Sequence, residues 1–171
     1  MNLRTIMIFP EFENMEIIDN IRRKYDPLAE LVKPHITLVF PFESPMSNEK
    51  LENVLNERLQ GIKPFELKLG GMSKQEDTFG NYIFLNVIQG EEEIKDIHKV
   101  LYDNEFKEFD IGVQYIPHMT IGKLSSADLL KSAYDKIYSI DATFRTVVRK
   151  VSVEMIGSNE ESIIIIEKDL V

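Results

Sequence analysis

The chain has 171 residues, 43% of them apolar and 29% charged, the balance of a soluble globular protein able to bury one sizeable core. It contains no cysteine, which excludes disulfides, thiolate metal sites and cysteine nucleophiles and suits a cytoplasmic location. Its 29 acidic and 20 basic residues leave a net charge of −9, a field that argues against avid non-specific binding to duplex nucleic acid.

Thr5 to Phe9 reads as a first strand. Its apolar patch is cut off by Pro10 and Glu11 and lacks the length and cleavage site of a signal peptide. A helical stretch is expected from about Asn14 to Val32, followed by the strand-like Pro34-His35-Ile36-Thr37-Leu38. Ser47 is placed to cap a helix whose apolar positions Leu51, Val54, Leu55 and Leu59 keep helical spacing. Phe65, Leu67 and Leu69 then alternate with Glu66 and Lys68, the mark of a half-buried strand. Gly70-Gly71 and Glu76 to Asn81 read as loops, the second joining two strands as a hairpin through Phe79-Gly80-Asn81.

Tyr82 to Ile88 is strand-like, and a helix follows from Glu91 to about Phe106, its acidic first turn suited to the helix dipole. Next comes Pro117-His118-Met119-Thr120-Ile121. Ser125 or Ser126 is then placed to cap a helix carrying Leu129, Leu130, Ala133 and Ile137. Apolar and polar residues alternate again from Val147 to Met155, and Gly157 to Glu161 reads as a loop. The longest purely aliphatic run, Ile163 to Ile166, is far too short to cross a bilayer, so no membrane partner is expected.

Two features of this order repeat. Strand, helix and Pro-His-apolar-Thr-apolar recur in sequence, with the second histidine 83 residues after the first, and each motif is followed by helix, then strands. The expectation is a single bilobal α+β domain over residues 1–171, with pseudo-repeats of about 1–80 and 81–171. Each lobe carries a mainly antiparallel sheet with helices outside, and a central groove runs between the lobes.

Alternation along a strand sends His35 and Thr37 to one face and Ile36 and Leu38 to the other, and it does the same for His118 and Thr120 against Met119 and Ile121. Each strand thus offers one titratable ring and one hydroxyl over apolar backing. Breaking a phosphodiester needs a base for the attacking oxygen and an acid for the leaving one, and histidine serves both because its ordinary pKa, about 6.5, lies near working pH. Threonine hydroxyls can donate to the non-bridging phosphate oxygens. A local cluster of this kind outweighs a distant acidic field within a screening length of roughly 8 Å. His98, on the edge of a helix's apolar face and without a threonine partner, reads as structural, and no His-Glu-x-x-His or cysteine pair suggests zinc.

The paired Pro34-His35-Ile36-Thr37-Leu38 and Pro117-His118-Met119-Thr120-Ile121 resemble the two His-x-Thr/Ser signatures of the 2H phosphoesterase superfamily, which includes 2′,5′-RNA ligase-like proteins and cyclic phosphodiesterases. In length and layout the chain resembles its bacterial YjcG-type branch, and the resemblance runs from the first strand to the last. It implies a duplicated fold with a central groove and catalysis without metal or other cofactor. It also implies His35 and His118 as the acid–base pair, Thr37 and Thr120 as phosphate ligands, and a small nucleotide or RNA-end phosphodiester as substrate. Lys123 matches a basic residue that follows the second signature in many relatives, and Lys33 flanks the first signature. Tyr82 matches an aromatic that stacks on a base, whereas Phe84 reads more simply as sheet packing. A nucleotide-binding module that uses the same groove without turnover is the alternative, although Arg or Lys holds phosphate better than histidine does.

Overall fold

A computed structural model describes residues 2–171. In chain order the elements are β1 (Leu3–Ile8), α1 (Met15–Tyr25), β2 (Ile36–Glu43), α2 (Asn48–Arg58), β3 (Phe65–Asp77) and β4 (Gly80–Gln89). They continue with α3 (Glu91–Tyr102), a 3-10 turn (Lys107–Phe109), β5 (His118–Leu124), α4 (Ala127–Ile137), β6 (Thr143–Val148), β7 (Lys150–Ile156) and β8 (Ser162–Asp169). All eight strands form one antiparallel sheet in the order β6-β3-β4-β5-β2-β1-β7-β8, curled into a half-barrel. Alternation gives the sheet two unlike faces. Ile6, Ile8, Ile36, Leu38, Ile83, Leu85, Met119 and Ile121 bury themselves beneath the helices, and the other face is the concave one. Among the described residues no helix is long and apolar enough to cross a membrane.

The spatial halves of the sheet cut across the sequence repeat. One four-strand group is β1, β2, β7 and β8, and the other is β3 to β6. The boundary expected near residue 80 falls in the tight β3–β4 hairpin, which keeps those strands neighbours, while β7 crosses over to pair with β1. The groups meet at β2 and β5, a thin seam whose recorded register is the pair Ile36 and Met119. Helices brace it, because α1 leaves one half to pack on β5 and α3 leaves the other to pack on β2.

Three local expectations are corrected. The first helix stops at Tyr25, well short of Val32, because Asp26 precedes Pro27 and is extended at ψ 113°. The Asp26 carboxylate then accepts from Leu28 N–H at 2.9 Å and pairs with Arg22 at 2.9 Å. Gly70-Gly71 is no loop but a bulge inside β3, between the pairs Leu69–Val87 and Met72–Leu85. Gly71 has φ +70°, which favours glycine, whereas a Cβ on Gly70 would meet only side-chain atoms, the nearest being Cδ1 of the exposed Ile88 at 2.5 Å. Leu129 is 51% exposed and does not join the core. Ser47 caps α2 as expected, and Ser126 caps α4 by accepting from Leu129 N–H at 3.2 Å.

Candidate active site

The seam builds the site. Ile36 and Met119 face each other and are both fully buried. Their strand neighbours His35, Thr37, His118 and Thr120 must therefore point to the concave face, where all four are half-buried. In an antiparallel pair this register sets Thr37 beside His118 and His35 beside Thr120, with the two rings on a diagonal. Directly opposed residues lie roughly 5 Å apart at Cβ and diagonal ones roughly 7–8 Å, a phosphate's span.

Both rings are held in the same way. His35 Nδ1 donates to the Lys33 carbonyl at 2.8 Å, and His118 Nδ1 donates to the Ile116 carbonyl at 2.7 Å. A carbonyl can only accept, so each Nδ1 carries its proton and each Nε2 is left as the titrating atom. Burial pushes both pKa values below the ordinary histidine value. For His35 the carbonyl bond opposes this, while the Arg22 and His118 charges add to it and Asp26 counters them. A pair of neutral rings that resist protonation results, each able to gain a proton when an anion sits between them.

The strand flanking β5 adds aromatic rings. On β4, Tyr82, Phe84 and Asn86 alternate with the buried Ile83 and Leu85 and so share the concave face. Phe84 stacks on His118 at 3.7 Å between centroids and 25°, and Tyr82 stacks on Phe84 at 5.7 Å and 21°. Asn86 stands opposite His118, its Oδ1 accepting from Ser73 Oγ at 2.9 Å. Lys123 reaches this face through a bulge. Ile83 pairs with Gly122 and Phe84 with Thr120, so Ile121 is the extra residue and the alternation flips after it. Lys123 thereby comes opposite Tyr82, its Nζ 5.7 Å from that ring.

A family model described as "2'-5' RNA ligase superfamily" matches residues 9–154, from the end of β1 into β7, and so spans both motifs. The chain belongs to that superfamily. A Bacillus licheniformis protein named "Putative phosphoesterase" is 27% identical over 146 residues, covering 84% of this chain and 83% of its own. A Bacillus cereus protein of the same name is 32% identical over 127 residues, covering 72% and 71%. The fold matches the crystal structure of Escherichia coli LigT complexed with 3'-AMP, with a TM-score of 0.64 at 16% identity over 99% of this chain and 98% of that one.

Within this superfamily member, His35, His118, Thr37, Thr120, Tyr82 and Lys123 all come to one concave surface. Lys33 does not bring its ammonium there; its side chain is exposed, and its carbonyl is the part in use. Phe84 packs on the sheet as expected, and the partner of its ring is His118 of the adjacent strand on the concave face. The signal was present in the alternation of Tyr82, Phe84 and Asn86, and the last of these went unnoticed. Phe9, whose ring is 6.0 Å from His35, was also missed, as were Thr5 and Glu154 on the floor of the other half. His98 is structural, its Nδ1 donating to the Leu38 carbonyl at 2.8 Å and its ring stacked on Tyr115 at 3.6 Å.

Proposed function

We propose that this phosphoesterase-family chain hydrolyses 2′,3′-cyclic or 2′,5′-linked phosphodiesters of small nucleotides or RNA ends by two-histidine acid–base catalysis, without a metal. The observation that carries the reading is the matched pair of rings, each with Nδ1 tied to a carbonyl and Nε2 on the groove, each beside a threonine of the opposite strand. One neutral Nε2 takes a proton from water as the oxygen bonds to phosphorus. The protonated Nε2 of the other ring gives its proton to the ribose oxygen as the P–O bond breaks. Thr37 and Thr120 donate to the non-bridging oxygens, helped by Lys123 at the rim. Proton transfer of this kind is worth roughly 10²- to 10⁴-fold per group. Among the described residues no three His, Asp or Glu side chains gather as a metal-ligand set.

The test is turnover of 2′,3′-cyclic nucleotides and 2′,5′-linked dinucleotides by wild type, His35→Ala, His118→Ala and the double variant, with and without chelator. Each single variant is expected to lose at least about 10²-fold, the double variant little more, since the rings act as a unit. Turnover that depends on added divalent metal, or a double variant with wild-type rate, overturns the reading.

A further inference from the structure

The floor of the His35 half holds a polar pair that the acid–base scheme leaves unused. Thr5 and Glu154 face each other across β1 and β7 on the concave side. They are 3% and 6% exposed. Among the described residues, Thr5 Oγ1 and Glu154 Oε2 make no hydrogen bond of good geometry, although the Thr5 and Ser162 hydroxyls stand near enough to the Glu154 carboxyl to oppose the rise in its pKa that burial causes. Both line a cleft of about 250 Å³ that His35 and Thr37 also line. The remaining orphan, Arg4 Nε, belongs elsewhere, because that guanidinium donates to Asn48 and to the Ser44 carbonyl. Buried polar atoms are nearly always paired in native proteins, and these two, facing one cleft with no well-formed bond between them, keep acceptor capacity that a ligand's donor can take up.

The chemistry of that ligand can be read from the lining. The cleft holds the carboxyl groups of Glu154 and Glu160, and its only cation-forming side chain is His35 at the edge. An anion is unwelcome on the floor, whereas a neutral hydrogen-bond donor fits a carboxyl oxygen and a hydroxyl together. Position narrows the choice. Met7 pairs with Thr37, and Thr5 is two residues further along β1, so Thr5 lies diagonal to Thr37 at roughly 7–8 Å. A sugar hydroxyl a few bonds from a phosphate held at Thr37 reaches that point, while the far edge of a base overshoots it.

We infer that Thr5 and Glu154 form a hydroxyl subsite that receives the 2′- and 3′-hydroxyls of a sugar joined to the bound phosphate through its 5′ oxygen, as in the 5′-linked nucleoside of a 2′,5′ diester. The inference rests on the groove binding a nucleotide phosphate, as proposed above. It makes the two ends of the groove unlike, with rings and a lysine beyond His118 and a sugar pocket beyond His35.

Calorimetric binding of adenosine 5′-monophosphate and of its 2′,3′-dideoxy analogue tests it, using wild type, Thr5→Val and Glu154→Leu, with melting temperatures as a check on folding. Wild type is expected to favour the hydroxylated nucleotide about tenfold or more. Either variant should bring that ratio close to one while leaving affinity for the dideoxy analogue unchanged and the fold as stable or more so. Equal affinity of wild type for the two nucleotides, the result for a floor that merely holds solvent, overturns the inference. So does a preference that survives in both variants, or in whichever one folds. Hydrolysis of a 2′,5′-linked diadenosine monophosphate is measured on the same preparations. Its failure alongside an intact hydroxyl preference removes the catalytic reading and leaves the subsite standing.

Discussion

The two halves of the groove share a plan at the centre and part company one strand away. At the seam, each strand places a histidine and a threonine on the concave face and ties Nδ1 to the carbonyl two residues back. Beside β5, β4 contributes Tyr82, Phe84 and Asn86; at the matching places beside β2, β1 contributes Thr5, Met7 and Phe9. What an acid–base pair demands is present twice, and what a substrate's two ends demand is present once each. On the two-histidine reading proposed above, the pseudo-two-fold describes the reaction centre, and the flanking strands are what would set which way a substrate lies.

The strongest way to break that contrast is to remove the ring beside each histidine. Phe84 lies flat on His118 at 3.7 Å, whereas Phe9 is tilted 57° at 6.0 Å from His35. Phe84→Ala is expected to lower turnover by roughly tenfold or more through loss of ring position. It should also raise the His118 pKa towards its ordinary value, because burial is what depresses it. Phe9→Ala should do less of both. Parallel pH–rate profiles and ring-proton titrations by NMR check this, and Phe84→Tyr should restore the wild-type profile. Equal effects at Phe9 and Phe84 would make the two halves equivalent around their histidines.

A smaller effect separates the empty groove from the occupied one. Both histidine pKa values are lowered in the free protein, so the kcat/KM bell should have its limbs on the acid side of about 6.5. The limbs belong to the pair because the rings interact. A phosphodiester between the rings raises both values, so the kcat bell should lie at higher pH. Stability carries the same sign. A histidine whose folded pKa is depressed leaves the unfolded chain binding more protons, so its contribution is whole above about 6.5 and is lost as pH falls below that value. Thermal melts of wild type and a His35→Gln/His118→Gln variant should converge at low pH, with the wild type losing more on acidification.

These contrasts also mark what local pattern can convey. Alternation along a strand places His35 with Thr37 and His118 with Thr120, and the same logic marks Tyr82, Phe84 and Asn86 as one face, so most of the site was legible. Lys123 was found by resemblance, since its parity is wrong for that face until the bulge at Ile121 is known. Thr5 and Glu154 gave no local signal, because they meet only when β7 returns from the end of the chain to pair with β1. The division of strands into halves was hidden for the same reason, since non-local pairing decides it. The end of α1 was readable from Asp26-Pro27 and was overrun by the apolar periodicity beyond it.

The smallest expected effect lies under the seam, where side chains clasp β2. Tyr115 O–H donates to the Thr37 carbonyl at 2.7 Å, His98 Nδ1 donates to the Leu38 carbonyl, and the Tyr102 hydroxyl accepts from Phe40 N–H at 3.1 Å. Burial pushes the Tyr115 phenol far up, so it remains a donor across the working range. Tyr115→Phe keeps the ring against His98 and removes one bond, at a cost of about 1 kcal/mol in stability. Because the bond ends on the backbone of Thr37, the loss should also loosen that hydroxyl relative to His118, raising KM a few-fold while the pH profile stays in place. Both seam strands have ladder pairs on their outer sides, β2 with β1 at Ile36 and Thr37 and β5 with β4 at His118, Met119 and Thr120, so the clasp adds to a ladder that β2 already has. Denaturant melts and steady-state kinetics on this variant decide the point. An unchanged KM would mean that the Thr37 side chain is placed by its pairing with Met7 alone, and that the clasp serves the fold without serving the groove.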